Sequence, residues 1–164
     1  MAPGYFVGRN SELDMIEEIL KPGDEPPQQQ RVALGGLGGV GKTQLAITYA
    51  KRNHGTNKSI FWLSAASEAT LRRSLRSMAG QIFPIQEYAA LEDEQILIHV
   101  RRWLSDAKNS TQWLLVFDSY DDPDQFGTKQ YYLPASHGAI IITTQLPDYV
   151  QEMTVSVRPI EDTE

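Results

Sequence analysis

The sequence contains no cysteine, which removes any disulfide framework and any thiolate zinc site. Its three histidines, His54, His99 and His137, are scattered, so no imidazole cluster for a metal is expected. No run of about 18 consecutive apolar residues occurs, so no membrane-spanning helix is expected. The opening Met1-Ala2-Pro3-Gly4 lacks the basic and apolar regions of a secretory leader. Positive charge is in deficit, with 15 Lys and Arg against 21 Asp and Glu and a net charge of -6. Non-specific binding to nucleic acid or to an anionic membrane draws on the opposite balance. Neither is expected as a partner, although a local basic pocket for phosphates is untouched by that argument. The expected compartment is the cytoplasm.

What is present is an ordinary globular composition, 41% hydrophobic and 22% charged over 164 residues. A chain of that size buries roughly 70% of the surface its unfolded form exposes. Residues 11–21 read as a short helix capped by Ser11, with Leu13, Ile16 and Leu20 on one face. Residues 22–30 (PGDEPPQQQ) are polar and proline-rich and read as a linker. Strands and helices then alternate. Strands are expected at 31–35, 59–64, 113–118, 139–144 and 153–157, and helices at 43–53, after the cap Ser67, and at 92–107. The continuous apolar runs WLLVF and AIII are what strands covered on both faces require. The expected fold is therefore α/β, a P-loop NTPase with a doubly wound, mostly parallel five-stranded sheet and helices on both faces. Residues 1–30 are expected to form an N-terminal segment with short helix and linker, and 31–164 the nucleotide-binding core of one overall domain. Trp62, Trp103 and Trp113 fall on core-facing patterns, and Arg72, Arg73 and Arg76 on a solvated helix face.

Gly36-Leu37-Gly38-Gly39-Val40-Gly41-Lys42-Thr43 fits G-x-x-x-x-G-K-[ST] in full, between an expected strand and an expected helix. Glycines let the backbone curl so that successive N–H groups converge on phosphate oxygens. The following helix offers free N–H groups and the positive end of its dipole to the same anion. Lys42 supplies a point charge to the terminal phosphates and the Thr43 hydroxyl a ligand for magnesium. The alternative, a glycine-rich turn that binds nothing, leaves the strand–loop–helix context unexplained.

Leu114 to Phe117 is an apolar run that ends in a carboxylate, Asp118. In a P-loop fold such a strand is expected beside the one feeding the loop, with its terminal Asp on the magnesium. Asp121 and Asp122 follow, and one of them could orient or deprotonate an attacking water. Asp122-Pro123-Asp124 also makes a good turn. Guanine is disfavoured: Asn57-Lys58-Ser59-Ile60 lacks the Asp of the guanine-reading loop, and Asp118 is followed three residues on by Asp121 where GTPases carry glycine.

Five ordered segments resemble one family: Phe6-Val7-Gly8-Arg9-Asn10-Ser11-Glu12, GGLGGVGKTQLA, IFWLSAASEATL, WLLVFDSYDD and YYLPASHGAIIITTQ. The first is similar to the "hhGRxxE" segment of the STAND-class signalling ATPases, whose NB-ARC and NACHT groups include plant resistance proteins, apoptotic protease-activating factors and fungal NOD-like receptors. The spacing of the last elements is most similar to the fungal branch. The resemblance runs from Phe6 to about Pro159 and implies a switch, closed with ADP and open to oligomerisation and signalling with ATP. It implies that Val7 and Arg9 line the adenine pocket. The loop residues Gly36, Gly38, Gly39, Val40, Gly41, Lys42, Thr43 and Gln44 hold the phosphates. Thr43 and Asp118 hold Mg2+, and Asp121 or Asp122 is the catalytic acid.

Two departures qualify the resemblance. The family usually carries Arg after Ile-Thr-Thr, facing the terminal phosphate, and this chain has Gln145. A neutral amide hydrogen-bonds a phosphate without neutralising its charge. The helical lid, winged-helix segment and ligand-sensing repeats of the family are also missing from the sequence, which reads as the core of a larger receptor. A slow Mg2+-dependent ATPase is the most activity expected. The competing expectations are a small-molecule kinase, for which no acceptor motif is conspicuous, and a module that holds ADP and never hydrolyses.

Overall fold

The computed structural model describes residues 10–21, 29–38, 40–53, 59–106, 113–122, 126, 131, 138–150 and 152–157. In chain order the elements are α1 (Asn10–Leu20), β1 (Gln30–Gly35), α2 (Lys42–Arg52), β2 (Ser59–Ser64), α3 (Glu68–Ile82), α4 (Ile85–Tyr88), α5 (Asp93–Ser105), β3 (Trp113–Asp118), β4 (Ala139–Thr144), a 3-10 turn (Pro147–Tyr149) and β5 (Thr154–Ser156). The expected strands and long helices are present, with ends shifted by a residue or two. The short helix α4 was not expected, and a single turn of IQEY carries too little periodicity to announce itself.

All pairings are parallel, and the strand order is β2-β3-β4-β1-β5. This corrects one expectation. The acidic strand β3 does not lie beside β1, because β4 pairs with both and separates them. Sequence order does not fix the spatial order of parallel strands, since each crossover can span a neighbour.

Alternation along the strands divides the core into two layers. Val32, Leu34, Leu114, Val116 and Ile141 pack under α1 and α2, whereas Ala33, Leu115, Phe117, Ile140 and Ile142 pack under α3 and α5. The helices therefore cover both faces. Trp113 is fully buried and its indole N–H donates to the Leu104 carbonyl at 3.2 Å. Trp62 departs from its expected core position. It lies on edge strand β2, on the face toward α1 and α2, and remains 40% exposed.

Two local expectations are resolved by capping geometry. Ser67 does cap α3: its hydroxyl accepts from the Thr70 N–H at 3.1 Å, and Thr70 Oγ1 accepts from the Ser67 N–H at 3.0 Å. Ser11 does not cap α1, because the helix already includes Asn10 and the Ser11 hydroxyl donates to Glu12 Oε1 at 3.1 Å. The arginine stripe of α3 is also less solvated than expected. Arg76 pairs with Asp93 at 3.0 Å and donates to the Leu91 carbonyl, and Arg72 lies between Glu68 and Tyr131, so only Arg73 is an exposed charge.

Candidate functional site

Because the strands are parallel, the carboxyl ends of β1, β3 and β4 lie along one sheet edge, where open α/β sheets bind ligands. β1 ends at Gly35 and the chain turns at once into the glycine loop. A Cβ at Gly35 would lie 2.6 Å from Pro147 Cγ, and one at Gly36 would collide with the Val157 carbonyl oxygen. Side chains are therefore excluded where the loop leaves the sheet. Gly41 has φ 100°, the left-handed region that glycine enters without strain, and leads directly into α2.

Lys42, the first residue of α2, is only 8% exposed. Its ammonium donates to the carbonyls of Gly36 and Leu37 at 2.7 and 2.8 Å, so it lies inside the curl of the loop. Burial lowers its pKa from the ordinary lysine value, and the negative charges of Asp121 and Asp118 partly offset that effect. Thr43 is exposed on the same first turn, and its hydroxyl donates to Asp118 Oδ1 at 2.9 Å. Thr143, on the intervening strand β4, donates to the same oxygen at 2.7 Å.

Thr143 was not singled out in the sequence. It joins Asp118 to the strand that separates β3 from β1, and its Oγ1 also accepts from the Ser119 N–H at 2.8 Å. The available signal was the polar pair Thr143-Thr144 closing an otherwise apolar run. Ser119 has φ 66°, unusual for a residue with a side chain, and turns the chain sharply after Asp118. Asp121 then arrives over the end of β4, where its Oδ1 accepts from the Gln145 main-chain N–H at 2.7 Å. Asp122 is exposed.

On the β5 side of the loop, a cleft of ≈ 340 Å³ is lined by Gly36, Leu37, Val40, Gln145, Pro147 and Val157. The loop and this cleft fit a nucleotide phosphate with an apolar group beside it. The donor set fits magnesium as well. Among the described residues no group of three or more His, Asp or Glu could hold a metal, but Mg2+ is typically held by one or two protein oxygens with phosphates and waters completing the shell. The adjoining oxygens of Thr43 and Asp118 are of that kind.

No protein-family model matches the chain. It is 30% identical, over an alignment of 156 residues, to a nucleotide-binding leucine-rich repeat (NLR)-like protein of Hyaloscypha variabilis, an alignment that covers 85% of the chain. The chain belongs to the NLR-like nucleotide-binding domains. It spans 16% of that relative's length. The backbone is similar to Cdc6p of Pyrobaculum aerophilum (TM-score 0.66, 15% identity, 96% of this chain and 48% of that one). It is similar as well to the Aeropyrum pernix ORC1 protein solved with DNA (TM-score 0.64, 18% identity, 93% and 46%). At these identities the likeness shows the fold alone, an α/β P-loop NTPase fold.

Within this NLR-like domain the structure brings Gly36, Gly38, Val40, Gly41, Lys42 and Thr43 together with Asp118, Asp121 and Gln145 at one sheet edge. Gln44 is exposed on the first turn of α2. Val7, Arg9 and Gly39 lie outside the described residues, as do His54 and His137. His99 is on α5, its Nδ1 2.8 Å from the Gln95 carbonyl. No helix among the described residues is long and apolar enough to cross a membrane.

Proposed function

We propose that this chain is the ATP/ADP-binding switch domain of a cytoplasmic NOD-like signalling receptor, in which nucleotide exchange controls oligomerisation. The observation that carries the reading is the convergence of Lys42, Thr43 and Asp118, three residues fixed by two separate motifs, around one glycine-lined curl. Lys42 leaves the Gly36 and Leu37 carbonyls for the terminal phosphates, exchanging neutral acceptors for an anion. The N–H groups of the loop and of the first turn of α2 orient the phosphate chain. Thr43 and Asp118 hold Mg2+, which supplies charge stabilisation at the phosphates when bound. Val40 and the cleft beside it take the apolar edge of the nucleotide, and residues 1–30, through Val7 and Arg9, complete the adenine site. An acid of the Asp121–Asp122 pair handles the attacking water.

Two structural relatives were solved with DNA, but a net charge of -6 does not favour non-specific attraction of this chain to a polyanion. Hydrolysis by the chain alone is expected to be slow, because Gln145 offers the terminal phosphate no positive charge, and such a cation is worth orders of magnitude in rate. The test is phosphate release by gel-filtered protein beside a Lys42→Ala control. The expected result is turnover barely above that control, eluting at monomer size. Turnover at or above about 1 s⁻¹, at monomer size and lost in the control, would show a self-sufficient ATPase rather than a switch module.

A further inference from the structure

Gln145 and Asp121 meet twice. The main-chain N–H of Gln145 donates to Asp121 Oδ1 at 2.7 Å, and its side-chain Nε2 lies 3.4 Å from Asp121 Oδ2. Both oxygens of one carboxylate are thus engaged by one residue, 24 positions further along the chain. The same Nε2 lies 3.1 Å from where a Cβ on Gly38 would be, so the amide reaches the phosphate-binding loop itself. The backbone around Asp121 is held for this purpose. Ser119 takes φ 66°, the Tyr120 N–H donates to the Thr143 carbonyl at 2.9 Å, and the Asp121 N–H donates to the Ser119 carbonyl at 2.9 Å.

We propose that Asp121 is a positioning residue, which clamps Gln145 between the end of β3 and the loop and sets which end of its amide faces the phosphates. An ionised carboxylate only accepts hydrogen bonds, whereas a glutamine amide has a donating and an accepting end. Against Asp121 the carbonyl end would be repelled, so the NH2 is held there. That group has two hydrogens. One is directed to Asp121, and the other is left for the loop side. Gln145 thereby presents a neutral donor to a terminal phosphate, where an arginine would present a cation. The hold of Gln145 on both oxygens fixes the direction of the Asp121 carboxylate, and of the two acids the exposed Asp122 is the more open to water. The phosphate half of this proposal rests on the nucleotide-binding reading above, whereas the clamp stands on the geometry alone.

Two measurements on the chain separate these halves. The first is the amide spectrum of nucleotide-free protein by NMR. Asp121→Asn is expected to move the Gln145 main-chain amide proton upfield and shift its side-chain NH2 pair, while Asp122→Asn leaves both in place. Gln145 resonances unmoved by Asp121→Asn would overturn the clamp. The second is the ratio of ATP to ADP dissociation constants with magnesium. Asp121→Ala is expected to change that ratio several-fold toward ADP, and to change it no further in a Gln145→Ala background. An equal effect in both backgrounds would mean that Asp121 acts independently of Gln145 and would overturn the proposal. Should the chain bind neither nucleotide, the switch reading fails, and the amide spectrum still decides the clamp.

Discussion

Lys42 is the side chain on which nucleotide affinity should turn, because its ammonium is buried in the loop and reaches phosphate without crossing solvent. Hydrogen bonds to charged groups contribute about 1.5–3 kcal/mol, so Lys42→Ala should raise the ADP dissociation constant roughly ten- to a hundredfold. Arg73→Ala, on the exposed face of α3, should leave it within about twofold by the small worth of solvated charges. Calorimetry giving equal losses for both would remove Lys42 from the site. The proton on Lys42 gives a second prediction. Burial holds its pKa below 10.5 in the nucleotide-free fold, whereas the unfolded chain keeps the proton up to that value. Between the two the unfolded state binds more protons, so the Lys42 contribution to stability rises with pH while phosphate affinity falls. Urea midpoints and ADP affinity, measured as pH approaches 10.5 and each compared with Lys42→Met, should move in opposite directions. Parallel movement would contradict the protonation argument. Lys42, Thr43 and Asp118 were legible in the sequence because short spacings and strand ends fix them. Thr143 and the Asp121–Gln145 contact were not, because they join residues 25 and 24 positions apart across neighbouring strands.

Elements built on strong periodicity were equally legible. Leu71, Leu75 and Met78 on α3, and Ile96, Val100 and Leu104 on α5, are buried as their spacing requires, whereas Ile82 and Leu97, expected on the same inward faces, are only partly buried. Edge effects were not, and Trp62 shows why: β2 alternates correctly, but as the last strand of the sheet one of its faces is left partly uncovered. The insertion of β4 between β1 and β3 was hidden for the related reason that an apolar run does not name its neighbours. That central strand is preceded by Gly138, which has φ 97° and whose added Cβ would fall within the Trp113 indole. Gly138→Ala would combine left-handed strain with overpacking, a loss of about 2–4 kcal/mol. Trp62→Ala should cost far less than the roughly 3–5 kcal/mol expected of Trp113→Ala, where a fully buried indole leaves a cavity. Urea denaturation ranks the three variants. A Gly138→Ala protein as stable as the parent would mean that the turn into β4 relaxes freely, against the packing described.

At the scale of the whole molecule, the sheet brings segments from residues 35 to 145 to a single edge, so the site exists only when all of the sheet does. Nucleotide binding and folding are therefore linked: whatever occupies the loop stabilises the entire domain. The deficit of positive charge fits this design, since Lys42 is a local buried cation within a sequence whose net charge is -6. The premise of the switch reading is the nucleotide itself. The most direct test is the melting temperature of nucleotide-free protein with and without magnesium and ADP. At about a hundred times the dissociation constant, binding adds roughly 2.7 kcal/mol, which for a domain of this size raises the midpoint by roughly 5–10 °C. That rise, lost in Lys42→Ala, is the predicted result; an unchanged midpoint with ADP and with ATP, in protein shown by chromatography after denaturation to start without nucleotide, would contradict the central claim.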